Sequence, residues 1–370
     1  MTEILFENQT SHAETHYHVP RSMRAAILIE QKKPLEMVDN VKLPNTLSVG
    51  QVLVKIIYSG ICGSQLGEID GVKGENKYLP HLLGHEASGK VMQIGPGVRH
   101  VKPGDKVVLH WRKSVGIESV APHYVWNDKK VNAGWVTTFN EYAIVSENRL
   151  TPIPAHSNMK IAALFGCAVT TGFGVITRNA KLTIGESVVI FGAGGLGLNM
   201  VQAAAMVNAY PIIAVDLHQN RLDIAKALGA THTIQSTKQD PKEAIAAILK
   251  EHTLDVFIDN TGNPEIIQMG YKMVHNTGRV VLVGVPKFSQ NISIHSLDLH
   301  FGKQLIGSHG GDALPHVDIP KYNHLYLNNK LDLDSLITRT YPFEALNQAI
   351  QEMRSGELAG RAVIKVNDDE

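Results

Sequence analysis

The sequence predicts an α/β protein that combines a doubly wound parallel sheet with a second, mostly β region. Two observations carry this prediction. From about residue 187, buried-type strands alternate with helical segments, and successive strands start about 20 to 25 residues apart. From about residue 50 to 150, short apolar strands are instead separated by Gly and Pro turns. Strand–helix alternation is typical of parallel βαβ units, whereas short strands bounded by turns favour an irregular, mostly antiparallel region.

The α/β region contains five apolar segments that fit buried strands, and helical patterns fill the gaps between them. These segments are SVVIFG (187–192), PIIAVD (211–216), THTIQS (231–236), LDVFID (254–259) and GRVVLVG (278–284). Two helix starts carry capping residues, because Asp240 and Asn263 each precede a proline and a nearby glutamate. Such residues satisfy the free N–H groups of a helix N-terminus. The helix starts therefore support the βαβ prediction.

The predicted organisation has four parts. A chain of 370 residues is long for one core and favours two domains. After about residue 310 we predict two further helices and a terminal strand, RAVIKV, that returns to the first domain. The predicted limits are a polar tail at 1–20, a mostly β domain at 21–165, an α/β domain at 166–310 and the C-terminal return at 311–370. The tail contains three histidines that we expect to be solvated rather than metal-bound: His12, His16 and His18.

Composition argues against several classes of partner. Lys and Arg together number 35, as do Asp and Glu, so no excess positive charge draws the chain to nucleic acid or to an anionic membrane. No apolar run approaches the roughly 20 residues that cross a bilayer, and the first residues do not resemble a signal peptide. With only two cysteines, the chain fits a reducing compartment. We therefore expect a cytoplasmic protein without a nucleic-acid or membrane partner.

A glycine-rich turn follows the first strand of the α/β region. Gly192, Gly194 and Gly197 form a G-x-G-x-x-G pattern between a strand and a helix, and Asp216 ends the next strand, 24 residues after Gly192. This spacing matches the dinucleotide-binding fingerprint. We assign Gly192 to the tight turn, Gly194 to close approach of the pyrophosphate, and Gly197 to helix–strand packing. The other residues of the turn included in the predicted site are Gly195 and Leu196.

The acidic residue after the second strand favours NAD over NADP. Asp216 can accept hydrogen bonds from the adenosine ribose hydroxyls, whereas a 2′-phosphate would meet its negative charge. Arg221, five residues further on, partly offsets this repulsion. We therefore predict NAD as the dinucleotide, with both side chains in its site.

Three segments supply metal-ligand chemistry: GICGSQL (60–66), GHE (84–86) and LFGCAVTTGFG (164–174). They contain Cys62, His85 and Cys167, which are two thiols and one imidazole. A catalytic zinc ion takes three protein ligands and keeps its fourth position open. Spacing alone leaves inert buried thiols or a disulfide as alternatives, because the three residues spread over 105 positions.

With the glycine-rich turn, these segments make the chain resemble the zinc-dependent alcohol dehydrogenases of the medium-chain dehydrogenase/reductase superfamily. The resemblance extends from about residue 24 to 367, and the stretch from Cys167 to Gly192 has the family's length. It implies a GroES-like catalytic domain at 21–165 and a Rossmann coenzyme domain at 166–310. It also implies one catalytic zinc ion, NAD, and a small-molecule alcohol or carbonyl substrate.

The resemblance assigns roles to individual residues. It implies that Cys62, His85 and Cys167 hold the zinc ion, and that Glu86 approaches the metal during ligand exchange. It also implies that Ser64 hydrogen-bonds the substrate alcohol and passes its proton outward. Further cofactor contacts implied by the resemblance are Thr171 beside the nicotinamide, Val283 and Val285 behind its ring, and Arg361 at the pyrophosphate.

The chain departs from the family pattern in three ways. The segment from about 110 to 140 contains no cysteine, so we expect no structural zinc. The position three residues after Ser64, which in the family often holds a histidine that relays the proton, is Gly67 in this chain. The proton would then leave through the cofactor ribose or through water. The acidic residue that usually follows the relay hydroxyl is Gln65, which we expect to orient His85 as a neutral hydrogen-bond acceptor. The aromatic residues expected to pack the cysteine-free lobe are Trp111, Tyr124, Trp126 and Trp135.

The predicted function is hydride transfer between NAD(H) and an alcohol or carbonyl substrate, with polyols or sugar-derived alcohols preferred. This preference comes from Gly63, Gln65 and Gly67, which remove bulk and charge near the site. Two alternatives are a zinc-free quinone or enoyl reductase on the same scaffold, and a non-catalytic NAD-binding structural or regulatory protein. We expect a homodimer or homotetramer, because VVLVGVP (280–286) and the QNISI that follows it resemble the edge where family members pair.

Overall fold

The computed structural model describes residues 20–72 and 74–369, so the histidines of the N-terminal tail lie outside the described residues. The strands are β1 (Ser22–Leu28), β2 (Glu36–Lys42), β3 (Gln51–Gly60), β4 (His81–Leu82), β5 (Glu86–Ile94), β6 (Lys106–His110), β7 (His123–Trp126), β8 (Lys129–Asn132), β9 (Tyr142–Ser146), β10 (Leu150–Pro152), β11 (Val188–Phe191), β12 (Ile212–Asp216), β13 (His232–Gln235), β14 (Leu254–Asp259), β15 (Val274–Leu282), β16 (Gln304–Gly307), β17 (Ile337–Pro342) and β18 (Arg361–Lys365). The α-helices are α1 (Gly63–Ile69), α2 (Met159–Ala162), α3 (Ala168–Gly174), α4 (Gly195–Met206), α5 (Gln219–Ala227), α6 (Pro241–Leu249), α7 (Pro264–Met273), α8 (Leu297–His300), α9 (Pro315–Leu327) and α10 (Leu346–Ser355).

These strands form three sheets. A closed barrel runs in the order β1-β2-β7-β8-β4, and a seven-stranded sheet runs β10-β6-β5-β3-β18-β17 with β9 beside β3. The third sheet has six parallel strands in the order β13-β12-β11-β14-β15-β16. Counted along the chain, this is the strand order 3-2-1-4-5-6 of a dinucleotide-binding sheet. The predicted combination of a doubly wound parallel sheet with a mostly β region is confirmed.

The parallel sheet is buried on both faces, which explains its continuous apolar strands. In β11, Val188 and Ile190 belong to one core cluster, while Val189 and Phe191 belong to another. Alternate side chains of a strand point to opposite faces, so both faces of β11 pack against apolar layers. Helix capping follows the sequence prediction as well: the Asp240 carboxylate accepts a hydrogen bond from the Glu243 N–H, 3.0 Å away.

The C-terminal segment adds two strands to the seven-stranded sheet. β18 pairs antiparallel with β3 and parallel with β17. Before it, α9 packs against α3, where the Tyr322 and Phe173 ring centroids are 4.9 Å apart. The predicted domain limits stay predictions, but the pairing of β18 with β3 places the last strand where RAVIKV was expected.

Among the described residues, no single helix is long and apolar enough to cross a membrane. One bent pair, Met159–Gly166 and Ala168–Asn179, meets the length and composition requirement with a 50° bend. Most of its side chains are buried in the core.

His110 at the end of β6 makes folding sensitive to acid. Its Nδ1 donates to the Arg112 carbonyl at 2.8 Å, and its Nε2 accepts from the Thr151 hydroxyl at 2.9 Å, so the buried ring is neutral. Burial lowers the pKa of His110 from 6.5 to about 4. Between these pH values the unfolded chain binds more protons at this position than the folded chain does. Stability is therefore lost as the pH falls through this window, by up to about 3 kcal/mol.

The variant His110→Gln is expected to flatten this pH dependence. The free energy of unfolding of wild type, measured with urea, should decrease from pH 6.5 toward pH 4. The decrease per pH unit should be smaller in His110→Gln, whatever the stability of this variant at neutral pH. His123→Gln, on an exposed residue of β7, is the matched control and should keep the wild-type slope. Equal slopes in wild type and His110→Gln would contradict a neutral, buried His110.

Candidate active site

Three turns bring the predicted metal ligands together. Cys62 is the residue before α1, His85 lies in the turn that enters β5, and Cys167 precedes α3. One ligand atom from each residue lies within 4.8 Å of those from the other two. This separation suits three ligands around a single ion, because zinc–sulfur and zinc–nitrogen bonds are about 2.0 to 2.3 Å long.

The chemistry of the three side chains also fits a cation. Both cysteines are free, so they do not form a disulfide. The hydrogen bond from Cys167 lowers the pKa of the Cys62 thiol well below its usual value, and the same contact raises the pKa of Cys167. The His85 Nε2 atom is buried without a hydrogen-bond partner among the described residues. A buried nitrogen lone pair beside a readily ionised thiol is a suitable donor set for zinc.

Gln65 holds both the Cys62 backbone and the His85 ring. Its Oε1 accepts from the Cys62 N–H at 2.9 Å, and its Nε2 contacts His85 Nδ1. The structure thus brings Gln65 to His85 as predicted, but with the amide nitrogen rather than the oxygen facing the ring. When Nε2 of a histidine binds a metal, Nδ1 carries the proton and needs an acceptor. The amide oxygen faces the Cys62 N–H and the amide nitrogen, a donor, faces the ring, so Gln65 in this orientation does not supply the acceptor that the metal-bound state needs.

Gln65→Glu is therefore expected to bind zinc more tightly. A carboxylate has two oxygens and can accept from the Cys62 N–H and from His85 Nδ1–H together. We expect zinc affinity to rise about 10-fold in Gln65→Glu and to fall about 10- to 100-fold in Gln65→Ala, measured by competition with a chromogenic chelator. Gln93→Glu, on an exposed residue of β5, controls for added charge. An affinity in Gln65→Glu at or below that of wild type would show that the amide is not limiting.

Glu86 and Arg361 form a buried ion pair beside the ligands. Glu86 is 0% exposed and Arg361 3% exposed, and Arg361 Nη2 contacts Glu86 Oε1. The second carboxylate oxygen accepts from the Ala168 N–H at 3.1 Å. The Arg361 side chain also fills the space beside Gly195, where an added Cβ would lie 2.1 Å from Arg361 Cδ. Arg361 therefore contacts both the metal-site carboxylate and the glycine-rich turn.

Three other side chains surround the ligand triangle. The Ser64 hydroxyl is exposed and lies 3.5 Å from His85 Nδ1. The Thr171 hydroxyl lies 3.9 Å from the Cys167 sulfur, and the indole N–H of Trp111 faces the same sulfur. The structure thus corrects the prediction for Trp111, which lines the metal site instead of packing the cysteine-free lobe.

The other aromatic residues of that lobe behave differently from one another. Tyr124 is fully buried, and its hydroxyl accepts from the Ile144 N–H at 2.9 Å. Trp126 is partly buried against the same barrel core. Trp135 is half exposed under the Arg149 guanidinium, so packing of the lobe rests on Tyr124 and Trp126.

The glycine-rich turn has the geometry that its sequence pattern predicts. Gly192 has a φ of +101°, a left-handed conformation that side chains disfavour. An added Cβ at Gly197 would lie 2.0 Å from the Gly192 carbonyl oxygen, so helix α4 and strand β11 approach too closely for any side chain there. Gly194 faces open space, and Leu196 is partly buried against the core.

A cleft of about 470 Å³ lies beside this turn. Asp216 and Arg221 line it, with Arg221 Nη1 3.6 Å from an Asp216 carboxylate oxygen. The other Asp216 oxygen accepts from the Ala193 N–H at 2.8 Å, which ties the carboxylate to the turn. The acidic residue and the arginine thus lie together where an adenosine ribose would bind.

Sequence reasoning missed the residues that follow β14. Asn260 and Thr261 line the same cleft, and Asn260 Nδ2 donates to the Gly192 carbonyl at 3.1 Å. The signal was available, because β14 pairs with β11 and the carboxyl ends of neighbouring parallel strands meet at one edge. Val283 and Val285 lie just past the end of β15. Val285 contacts Gly262, which belongs to the loop after β14 that also contains Asn260 and Thr261.

Comparisons with known proteins agree with this geometry. Residues 48–155 match the family described as "Alcohol dehydrogenase GroES-like domain", and residues 195–326 match "Zinc-binding dehydrogenase". A relative from Synechocystis sp., named S-(hydroxymethyl)glutathione dehydrogenase, is 30% identical over 364 residues, which cover 90% of this chain and 97% of that protein.

Two solved structures are similar over nearly the whole chain. Benzyl alcohol dehydrogenase from Acinetobacter calcoaceticus has a TM-score of 0.83 and 29% identity, covering 93% of this chain and 99% of its own. The 2R,3R-butanediol dehydrogenase from Bacillus subtilis has a TM-score of 0.75 and 25% identity, covering 94% and 100%. The chain therefore belongs to the zinc-dependent alcohol dehydrogenase family of the medium-chain dehydrogenase/reductase superfamily, and is an NAD- and zinc-dependent oxidoreductase of alcohol or carbonyl substrates.

Proposed function

We propose that this enzyme interconverts a polyol or another sugar-derived alcohol and the corresponding carbonyl, with Cys62, His85 and Cys167 as the zinc ligands. The observation that carries the proposal is the three-ligand triangle, in which the buried His85 Nε2 has no hydrogen-bond partner in the described part of the chain and an exposed Ser64 hydroxyl lies beside the ring. An open fourth position next to a proton acceptor is what oxidation of an alcohol requires.

The protein's own side chains bind and orient the substrate, and they move the proton. Bound zinc supplies Lewis-acid polarisation of the substrate oxygen, and bound NAD accepts or returns the hydride. In oxidation, Ser64 Oγ accepts the proton from the substrate hydroxyl and passes it to solvent, because the side chain is exposed and Gly67 offers no further relay group. Trp111 and Thr171 line the Cys167 side of the site.

On the cofactor side, the glycine-rich turn receives the pyrophosphate at the start of α4, and Asp216 binds the adenosine ribose. We propose that Arg361 contacts the pyrophosphate as well, since its side chain packs against Gly195. Its present partner, Glu86, would then gain freedom to approach the metal during ligand exchange. Thr171, Val283 and Val285 are the proposed nicotinamide contacts, and Asp216 favours NAD over NADP.

Space and precedent support a polyol-type substrate. Gly63, next to Cys62, is exposed and has no atom of the described residues within 4 Å of the position that a Cβ would take, so there is open space beside this ligand. The similar Bacillus subtilis enzyme is named for a diol, 2R,3R-butanediol. A roomy site with neutral Gln65 in place of an acid fits a substrate with several hydroxyl groups.

We also propose that the protein is a cytoplasmic homodimer or homotetramer whose subunits pair through the six-stranded parallel sheet. β16 is an edge strand of that sheet, and Phe301 before it and Phe288 after β15 are 70% and 86% exposed. Free strand edges flanked by exposed aromatic groups favour self-association. Light scattering on the purified protein measures the assembly, and a monomer would contradict it.

A substrate panel tests the proposed function together with Ser64. We expect zinc-loaded enzyme and NAD⁺ to give faster NADH production from polyols than from short unbranched alcohols. Ser64→Ala should lower kcat/KM by about 100-fold or more, as loss of a general acid–base group does. Ser355→Ala removes an exposed hydroxyl at the end of α10 and serves as the control. Wild-type turnover in Ser64→Ala, or no turnover of any panel member by wild type, would contradict the proposal.

A further inference from the structure

A cluster of Trp111, Arg112 and His309 lies one aromatic ring away from the metal ligands. The indole N–H of Trp111 faces the Cys167 sulfur. The His309 ring packs edge-on against the indole with the ring centroids 5.0 Å apart, and the Arg112 guanidinium carbon lies 5.8 Å from the Trp111 ring centroid. The cationic side chain is therefore held close to the reacting centre.

Most of the hydrogen-bonding capacity of Arg112 is unused. Within residues 20–72 and 74–369, its guanidinium donates one hydrogen bond, from Nη1 to His309 Nδ1 at 2.5 Å. Its Nε is buried and has no hydrogen-bond partner among the same residues. The Asp312 carboxylate is 3.9 Å from Nη2, and its other oxygen accepts from Asn179 Nδ2 at 2.5 Å. A guanidinium has five donors in a planar fork that matches an oxyanion, so this arrangement leaves the fork open.

The cluster connects segments that follow strands of two different sheets. Arg112 follows β6 of the seven-stranded sheet, whereas His309 follows β16 of the parallel sheet. The next residues, Gly310 and Gly311, have φ of +65° and +63°, which lets the backbone pack against both sides. An added Cβ would lie 2.4 Å from the Trp111 ring at Gly310 and 2.4 Å from the Thr171 carbonyl at Gly311. His309 is exposed and the Arg112 side chain is 22% exposed, so a solute can reach both side chains from solvent.

The two side chains together offer donors of the kind that an oxyanion accepts. Because His309 Nδ1 accepts from Arg112, its Nε2 carries the proton and is a donor. A partly buried arginine without a fully engaged anion is costly, and a bound carboxylate or phosphate would offset that cost. We propose that Arg112 and His309 bind an oxyanion group of the substrate, so that the natural substrate carries a carboxylate or a phosphate besides its reacting alcohol or carbonyl. This inference rests on the proposed function and specifies its substrate class.

Matched substrates test the inference. Benzyl alcohol, 4-(hydroxymethyl)benzoate and 4-(hydroxymethyl)phenyl phosphate share the reacting group and differ in the oxyanion. In wild type, kcat/KM should be at least 10-fold higher for one or both anions than for benzyl alcohol, and the preferred anion identifies carboxylate or phosphate. In Arg112→Gln, the ratio of kcat/KM for the anionic substrate to kcat/KM for benzyl alcohol should fall at least 10-fold. The ratio in Arg112→Lys should lie between those of wild type and Arg112→Gln. Lys113→Gln, which removes the neighbouring exposed charge, should keep the wild-type ratio.

The outcomes separate this inference from the proposed function. No preference for either anion in wild type, or the same preference in Arg112→Gln, would overturn it. Calorimetric binding of benzoate and inorganic phosphate to the NAD-bound protein gives a readout that needs no turnover. Binding to wild type that is lost in Arg112→Gln would support the oxyanion site even if no alcohol is oxidised, which would contradict only the proposed function. Equal binding to both proteins, or none to wild type, would overturn the site.

Discussion

Cys62→Ala and His85→Ala are each expected to lose zinc and to lower kcat/KM by at least about 1000-fold, or on the order of 4 kcal/mol of transition-state stabilisation. The three ligand atoms lie within 4.8 Å of one another, so each makes up a third of the protein's donor set. Removing one leaves two ligands, which is fewer than catalytic zinc sites use. Zinc content and steady-state kinetics on the same preparations measure both effects.

NAD binding should survive these substitutions. The glycine-rich turn and Asp216 belong to the parallel sheet, whereas Cys62 and His85 flank strands of the seven-stranded sheet. Fluorescence titration with NADH should therefore give an affinity within a few-fold of wild type. His123→Ala, which deletes an exposed imidazole on β7, is the matched control and should retain zinc and turnover. Full zinc content with wild-type turnover in Cys62→Ala would remove this residue from the site.

Arg361→Met is expected to destabilise the protein by about 3 to 5 kcal/mol, because it leaves Glu86 as a buried carboxylate without its charged partner. Both side chains are almost completely inaccessible, and among the described residues the other hydrogen bond to the Glu86 carboxylate comes from the Ala168 N–H. An uncompensated buried charge has no access to water, so its desolvation penalty is retained in full. The urea midpoint at pH 7 measures this loss.

A double-mutant cycle separates the ion pair from simple packing. Glu86→Leu with Arg361→Met removes both charges and should recover a large part of the stability lost in Arg361→Met alone. Arg339→Met deletes a half-exposed arginine that pairs with Glu352 and should cost less than about 1 kcal/mol. Additive effects of Glu86→Leu and Arg361→Met would show that the two buried charges do not depend on each other.

The parallel sheet could be predicted from sequence because local patterns determine it. Strands such as β11 are apolar on both faces, and Asp240 marks a helix start through a contact only three residues long. The Gly192 turn was equally local, since its role depends on backbone conformation within one loop. These features can be predicted from the local sequence without knowledge of the tertiary structure.

The metal site and its surroundings depend on contacts between distant residues. Cys62, His85 and Cys167 span 105 positions, so family resemblance rather than spacing brought them together. Nothing in the local sequence indicated that Arg112 would meet His309, because the two are 197 positions apart. Trp111 was assigned to the wrong surroundings for the same reason: its ring contacts residues that follow strands of two different sheets.

The most direct test of the account is zinc K-edge X-ray absorption on purified protein of measured zinc content. The two free sulfurs and the partnerless His85 Nε2 predict one zinc ion per chain. Its coordination shell should contain two sulfur atoms at about 2.3 Å and one imidazole nitrogen at about 2.0 to 2.1 Å, with a light atom in the fourth position. A zinc shell without sulfur, or with a sulfur count other than two, would contradict the account.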